Sequence, residues 1–438
     1  MANVRPFRGI TFDIARVGGL SEVIGPPEDI PSHEQAAAIV AGRPYHAVRL
    51  EMSDPGPGEC FHGASRRFRE WLRDGILQQR TASAFYVHEH EFDFGGRRLR
   101  RRGVFTALEL SDYAERIILP HENTMPHNVE IRTELLRDVR ANLSAVYTLV
   151  DDDGSLSATL NALSMTPPDI EGLDDTGGFH RLWAMTNPSS IRNLRDALAR
   201  RPLYMADGHH RYAAALNYRK ELDQQGFDNP QADWTLAYIA GVQDEGVQVL
   251  PIHRVVKSLG HYSWDDLRLE LDDYFDIQPI VLPVENVRDE VARAVDQLAN
   301  ETDDLTYLIL EPEGRRLLRA RLRDWNSVAG CIPADAGPTA SHLDVTVLDC
   351  VLLYKTLDFD QHQTEQHVEF TQDIEAAYDM VRSGEAVFAA FVRPTPLSTL
   401  LAVARSGGRM PQKSTYFYPK IPIGLLMRDL LDEAESEG

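Results

Sequence analysis

Between Tyr204 and Leu216 the chain reads YMADGHHRYAAAL. A short apolar run stops at Asp-Gly, shows two histidines and an arginine together, and passes at once into an alanine-rich stretch. This is the pattern of a strand, a tight turn and a helix, the joint from which α/β folds are assembled. Asp207 is the expected N-cap, because its carboxylate can accept the unpaired N–H groups of the first turn. Gly208 permits a tight turn or a close approach of backbone to ligand. The first helical N–H groups then carry the positive end of the helix dipole, which favours a phosphate. His209, His210 and Arg211 fall at that same end. The guanidinium can fork two phosphate oxygens, and an imidazole can donate a hydrogen bond or move a proton. A capped helix with satisfied polar side chains is the plain alternative.

The flanking pattern agrees with an α/β reading. FHRLWAMT (179–186) alternates like a strand, Asn187-Pro188-Ser189-Ser190 punctuates it, and Ile191, Leu194 and Leu198 space a helix. Residues 1–150 mix short strands, with Leu50, Phe105 and Leu108 in strand-like runs, and helices over 34–40 and 64–77. The Arg97–Arg102 cluster, five arginines, reads as a loop or a solvated face. Further on, VLPIHRVV is a strand, LTYLILEPEGRRLLRARL a hairpin turning at Glu313-Gly314, and LDVTVLDCVLLYKTL a helix. Mixed α/β units are therefore expected: 1–248, 249–340 and 341–438. A chain of 438 residues is too long for one core, which agrees with several units.

Charge and cysteine usage narrow the function. The net charge of −22 repels nucleic acid and anionic lipid, so neither is an expected partner. A small-molecule substrate fits better, and a homodimer is compatible. Any phosphate site must be a local cluster of donors set against the global field. No run of eighteen apolar residues occurs and MANVRPFRGITF lacks the apolar core of a secretory signal, so a cytoplasmic location is expected. Cys60, Cys331 and Cys350 lie far apart and read as reduced thiols. His209 and His210 are adjacent and cannot chelate as an i, i+4 pair does. His88-Glu89-His90 can place both imidazoles on one face of a strand, but no third ligand is near in sequence, so it reads as a surface strand.

Several segments together resemble a known family. RPFRGITFD near the start, GPPEDI (25–30), RPYHAVRL (43–50), LPHENT (119–124), LYMADGHHRYAAAL, LPIHRVV (250–256) and MPQKSTYFYPK (410–420) are similar to domain-of-unknown-function family 1015. The DGHHR segment resembles the phosphate-binding segment of the ParB/sulfiredoxin-like fold, in the version carried by free serine kinases. The resemblance implies a ParB/sulfiredoxin-like core with additional α/β units toward the C-terminus. It also implies phosphoryl transfer to a small hydroxyl-bearing metabolite, free serine foremost, from ATP, ADP or pyrophosphate. One departure stands out: where the family's proline-rich turn usually reads PPYD, this chain has Pro26-Pro27-Glu28-Asp29, a carboxylate in place of the tyrosine.

Phosphoryl transfer needs charge neutralisation around the moving phosphate and a carboxylate for the acceptor's proton. Gly208, His209, His210 and Arg211 are the expected donor-phosphate cradle, with His210 and Asp207 as further catalytic candidates. Glu122 is the first choice for general base and Asp29 the second. Asp207 and Glu122 are also the candidates to hold a magnesium ion. His121 and Thr124, and the His253-Arg254 pair after an apolar run, are candidates for substrate contact. LPHENT can equally be a capped polar loop, and His253-Arg254 a strand-end ion pair. In PQKSTYFYPK, Lys413, Ser414, Thr415 and Lys420 can reach phosphate from the C-terminal region. With no GxxxxG before them they are not a Walker motif. The alternation of Thr415 and Phe417 against Tyr416 and Tyr418 suggests a strand with one buried face. A phosphatase or pyrophosphatase using the same anion site, and a nucleotide-binding switch without turnover, are the competing functions.

Overall fold

The computed structural model describes residues 2–25, 33–54, 60–199, 201–283, 285–301 and 305–432. They form two compact units. The first holds residues up to 120, 124–248 and 419 onward; the second holds 121–123 and 249–418.

The first unit is built on a nine-stranded mixed sheet. Its strands are β1 (Val4–Arg5), β2 (Phe85–Phe94), β3 (Arg97–Glu109), β4 (Ile118–Leu119), β5 (Val146–Val150), β6 (Ile170–Leu173), β7 (Phe179–Met185), β8 (Leu203–Asp207) and β9 (Trp234–Gly241). The order across the sheet is β4-β8-β5-β9-β3-β2-β7-β6, with β1 on β3. β8 runs parallel to β4 and β9 parallel to β5, while the remaining neighbours are antiparallel. One face carries Phe85, Val87, Val104, Val146, Ile239, Leu203 and Met205. These pack on helices that contribute Val129, Leu136, Leu160, Leu194, Leu198, Tyr212 and Leu216. Strand side chains alternate, so the neighbouring positions face the other way. There the sheet buries aromatic and polar groups instead: Tyr86, His88, His90, Arg101, Phe105, Tyr147, His180 and Tyr238.

This second face overturns two expectations. Arg97–Arg102 lies in β3, not in a loop. Arg97, Arg98 and Arg100 are exposed, whereas Arg101 has no exposed surface. His88-Glu89-His90 lies in β2 near the middle of the sheet and is buried, not on the surface. Leu50 sits in a short 3-10 turn (Ala47–Leu50), not in a strand.

The second unit contains a six-stranded, wholly antiparallel sheet: β10 (His253–Val256), β11 (Phe275–Val281), β12 (Thr306–Leu310), β13 (Arg316–Leu322), β14 (Val368–Thr371) and β15 (Phe388–Phe391), in the order β11-β13-β12-β15-β10-β14. Both faces are covered. Val256, Tyr307, Ile309, Leu318 and Phe388 pack on one side; Val255, Leu308, Leu310, Leu317 and Phe391 pack on the other. The expected break near residue 340 does not separate two sheets. β12 pairs with β15 and β10 with β14 across it, so strands from both sides of residue 340 share one sheet. Cys331 and Cys350 are joined in a disulfide, not held as free thiols, with Cα atoms 5.9 Å apart. Among the described residues no helix is long and apolar enough to cross a membrane.

Candidate functional site

The DGHHR segment forms the expected joint. β8 ends at Asp207, Gly208 follows with φ +88°, and a seventeen-residue helix runs over His209–Gln225. Call the helix over Pro126–Val139 α1 and this one α2. The cap differs from expectation. Gly208 occupies the N-cap position, and no side chain caps the helix there. Asp207 remains on the strand, so its carboxylate serves another purpose. Its Oδ2 pairs with Arg211 Nη2 at 2.5 Å, one helical turn away, and its Oδ1 accepts from Lys420 Nζ. The acid thus gathers two cations at the positive end of α2.

Each neighbour is fixed by its surroundings. Arg211 lies against Gly208: a Cβ at 208 would stand 3.0 Å from its Nε. His210 Nε2 accepts the Met125 amide at 3.1 Å, which ties the turn to the start of α1 and places the ring proton on Nδ1. Thr124, just before, is half-buried, and His209 is buried. The root of α2 is anchored through Tyr212, whose hydroxyl donates to the Ser111 carbonyl and accepts from the Ser111 amide, both at 2.9 Å. Lys420 owes its position to Arg101. That buried guanidinium donates to the Pro419 carbonyl and lies over the Tyr147 and Tyr238 rings, 5.0 and 5.4 Å from their centroids. The local balance of Arg211 and Lys420 against Asp207 is positive, in a chain that is otherwise strongly acidic. Such a cluster can hold an anion next to the helix N-terminus.

The second unit brings two other motifs together. Glu122 Oε1 accepts from the Thr415 amide at 3.2 Å and from the Thr415 hydroxyl at 2.9 Å. His121 Nε2 lies 3.0 Å from the same hydroxyl, and Met410 N donates to the His121 carbonyl. Residues nearly three hundred positions apart are thus joined by the HEN and KST segments. Ser414 is buried and donates to the Pro411 carbonyl at 2.5 Å, while Lys413 is exposed and has φ +54°. Thr415–Tyr418 is a strand with Thr415 and Phe417 on its buried side.

His253 and Arg254 are embedded in β10. Arg254 has no exposed surface and makes a bidentate pair with Asp349 at 2.7 and 2.8 Å, with further bonds to the carbonyls of Ile252 and Lys413. His253 Nδ1 accepts the Val392 amide. Burial, then the charge of Arg254, lowers the His253 pKa to about 3. The ion-pair alternative describes this geometry. Asp29 and Glu28 lie outside the described residues.

A family model described as "Protein of unknown function (DUF1015)" matches residues 4–346. The chain belongs to the DUF1015 family. Comparison with curated proteins gives no match. Among solved structures the DUF1015 chain is similar to a conserved hypothetical protein from Pyrococcus furiosus, with 13% identity, a TM-score of 0.34, and coverage of 73% of this chain and 93% of that one. It is also similar to a free serine kinase in complex with AMP (12%, TM-score 0.34, 74% and 92%). A third is SbnI with C-terminal truncation from Staphylococcus aureus (10%, TM-score 0.36, 75% and 90%). At these identities the likeness concerns fold alone.

In this DUF1015 chain the carboxylates named for magnesium stand differently. Asp207 has both oxygens in ion pairs with cations, and Glu122 belongs to the other unit. Among the described residues neither joins a group of three candidate ligands. Arg211 and Lys420 are the cations that pair with Asp207 at this turn. Arg101 was not foreseen as a positioning residue. Its only sequence signal was an arginine at a strand-compatible position inside a run of five.

Proposed function

We propose that this protein is a phosphotransferase that moves a phosphoryl group from ATP, ADP or pyrophosphate to the hydroxyl of a small metabolite, free serine foremost. The observation that supports this reading is the turn at Asp207–Arg211. There a left-handed glycine opens a long helix, and Arg211 and Lys420 are gathered on one carboxylate beside its N-terminus. Donor phosphates would draw the two cations from Asp207 and accept N–H groups of the first turn. Charge neutralisation and positioning carry most of the acceleration in such transfers. His210, with its Nε2 occupied by the Met125 amide, would offer Nδ1–H to a phosphate oxygen. The acceptor's hydroxyl gives its proton to a carboxylate as its oxygen bonds phosphorus, and the donor leaves with its electron pair. Any magnesium ion would enter on the donor's phosphates.

The test uses the full chain with Mg²⁺, serine and each of the three donors, reading phosphoserine by mass spectrometry. One donor should yield product. Arg211→Ala should raise the KM for that donor at least tenfold. Phosphate release independent of serine would convert the reading to a hydrolase. Absence of both turnover and calorimetric donor binding would remove it.

A further inference from the structure

The buried face of the first sheet carries a second constellation, unconnected with phosphate. His90 on β2 and His180 on β7 are direct partners in the antiparallel ladder, and His88 is two residues from His90 on the same face. Asp174 stands at the turn between β6 and β7. Its Oδ1 accepts the Thr176 amide and hydroxyl and the Gly178 amide, at 2.8–2.9 Å, so the turn holds the carboxylate rigidly. Its Oδ2 is aimed inward, 3.0 Å from His180 Nε2 and 3.7 Å from His90 Nε2. One candidate ligand atom from each of His90, Asp174 and His180 lies within 4.8 Å of the others.

Hydrogen bonding alone does not account for this cluster. His90 is only 4% exposed, yet neither of its ring nitrogens has a hydrogen-bond partner. Buried polar atoms are nearly always satisfied, and an orphaned imidazole needs a reason. Gly178 supplies a second observation. A Cβ there would lie 2.4 Å from His90 Nε2 and 2.6 Å from Asp174 Oδ2, so the glycine keeps open the space these two atoms face. A third is the support behind His180. Its Nδ1 lies 3.0 Å from His88 Nε2, the kind of outer hydrogen bond that fixes the tautomer and orientation of a ligating imidazole.

We propose that His90, His180 and Asp174 bind one divalent transition-metal ion, of which zinc is the first to test. A tetrahedral ion with bonds near 2.0–2.2 Å spaces its ligand atoms about 3.3 Å apart. The observed separations of 3.0 and 3.7 Å fall on either side of that spacing. Two imidazoles and one carboxylate suit zinc, cobalt, nickel or ferrous iron, and not magnesium or calcium, which take oxygen. On binding, the ion replaces the proton between His180 Nε2 and Asp174 Oδ2. Both neutral rings change tautomer with it: His180 carries its one proton on Nδ1 and donates it to His88 Nε2, and His88 carries its own on Nδ1. Arg101, opposite His90 on β3, is a like charge, but it is held on the Pro419 carbonyl and the Tyr147 ring. Burial first, and then the neighbouring His180 and Arg101, keep His90 neutral, the form that ligates. Three protein ligands leave a fourth position for water, and the ion would pin the β6–β7 turn to the middle of the sheet.

The experiment loads the full chain with ZnCl₂, desalts it and measures metal by mass spectrometry, with the visible spectrum of the Co²⁺ form as a second readout. The wild type should retain one equivalent and gain thermal stability. Asp174→Asn, which preserves an acceptor for the turn amides, and His90→Gln should each lose that equivalent, the Co²⁺ bands and the stabilisation. If His90→Gln fails to fold, Asp174→Asn alone decides. Wild-type protein without retained zinc, or variants retaining as much as wild type, overturns the proposal.

Discussion

Arg254 and Asp349 show what a charge needs in order to live inside this protein. Both are buried, the pair is bidentate, and two backbone carbonyls take further guanidinium protons. The pair's net worth is small, because desolvation offsets attraction, but a partner left alone is costly. Asp349→Ala should therefore destabilise the second unit by about 3–5 kcal/mol. The double substitution Arg254→Met with Asp349→Leu should recover most of that loss. Urea midpoints of the three proteins decide the matter. A double variant as unstable as Asp349→Ala would mean that the bonds to Ile252 and Lys413, and not charge pairing, hold β10. The contrast with Asp207 is instructive. Its two cations keep some exposed surface, whereas the Arg254 side chain has none.

At the scale of elements, the β8–α2 joint rests on one backbone conformation. Gly208 has φ +88°, and an added methyl would meet Arg211 Nε at 3.0 Å. Gly208→Ala should cost about 1–2 kcal/mol in backbone strain. It should also push Arg211 aside and raise the donor KM, so thermal unfolding and kinetics are measured together. Unchanged donor binding would show that Arg211 does not need this joint. This element was legible from sequence because its information is local: an apolar run, Asp-Gly, then helix formers within thirteen residues. The 305–322 hairpin and the alternation at 415–418 were readable for the same reason. Arg101 was not, since its burial depends on the carbonyl of Pro419 and the rings of Tyr147 and Tyr238. His88-Glu89-His90 was misread because the ladder brings His180 and Asp174 from more than eighty residues downstream. The sequence points to Asp207 as the cap because it cannot say on which side of the glycine a helix begins. The disulfide escaped notice because the bend between Cys331 and Cys350 leaves no trace in composition.

The whole molecule is strongly acidic, and buried histidines give each unit its own response to protons, His46 being one in the first and His253 one in the second. Burial, then the charge of Arg43, holds the His46 pKa down at about 4 in the first unit; burial and Arg254 hold His253 at about 3 in the second. Both folded values lie below the unfolded 6.5. The unfolded chain therefore binds the proton first, and stability is complete above pH 6.5 and lost as pH falls toward 3–4. Each group removes about 1.4 kcal/mol per pH unit across that window. Relief of self-repulsion works in the opposite direction, since acidification shrinks the net charge of −22 toward zero near pH 5.1. The two effects separate by substitution. Urea unfolding at pH 7.5, 6.5, 5.5 and 5.0 should show stability falling below 6.5 in the wild type. His253→Gln should be less stable at neutral pH yet show a flatter dependence for the second unit, because the net-charge effect is common to both proteins. Parallel slopes would mean that His253 takes up its proton without unfolding, and that water reaches the end of β10 in solution.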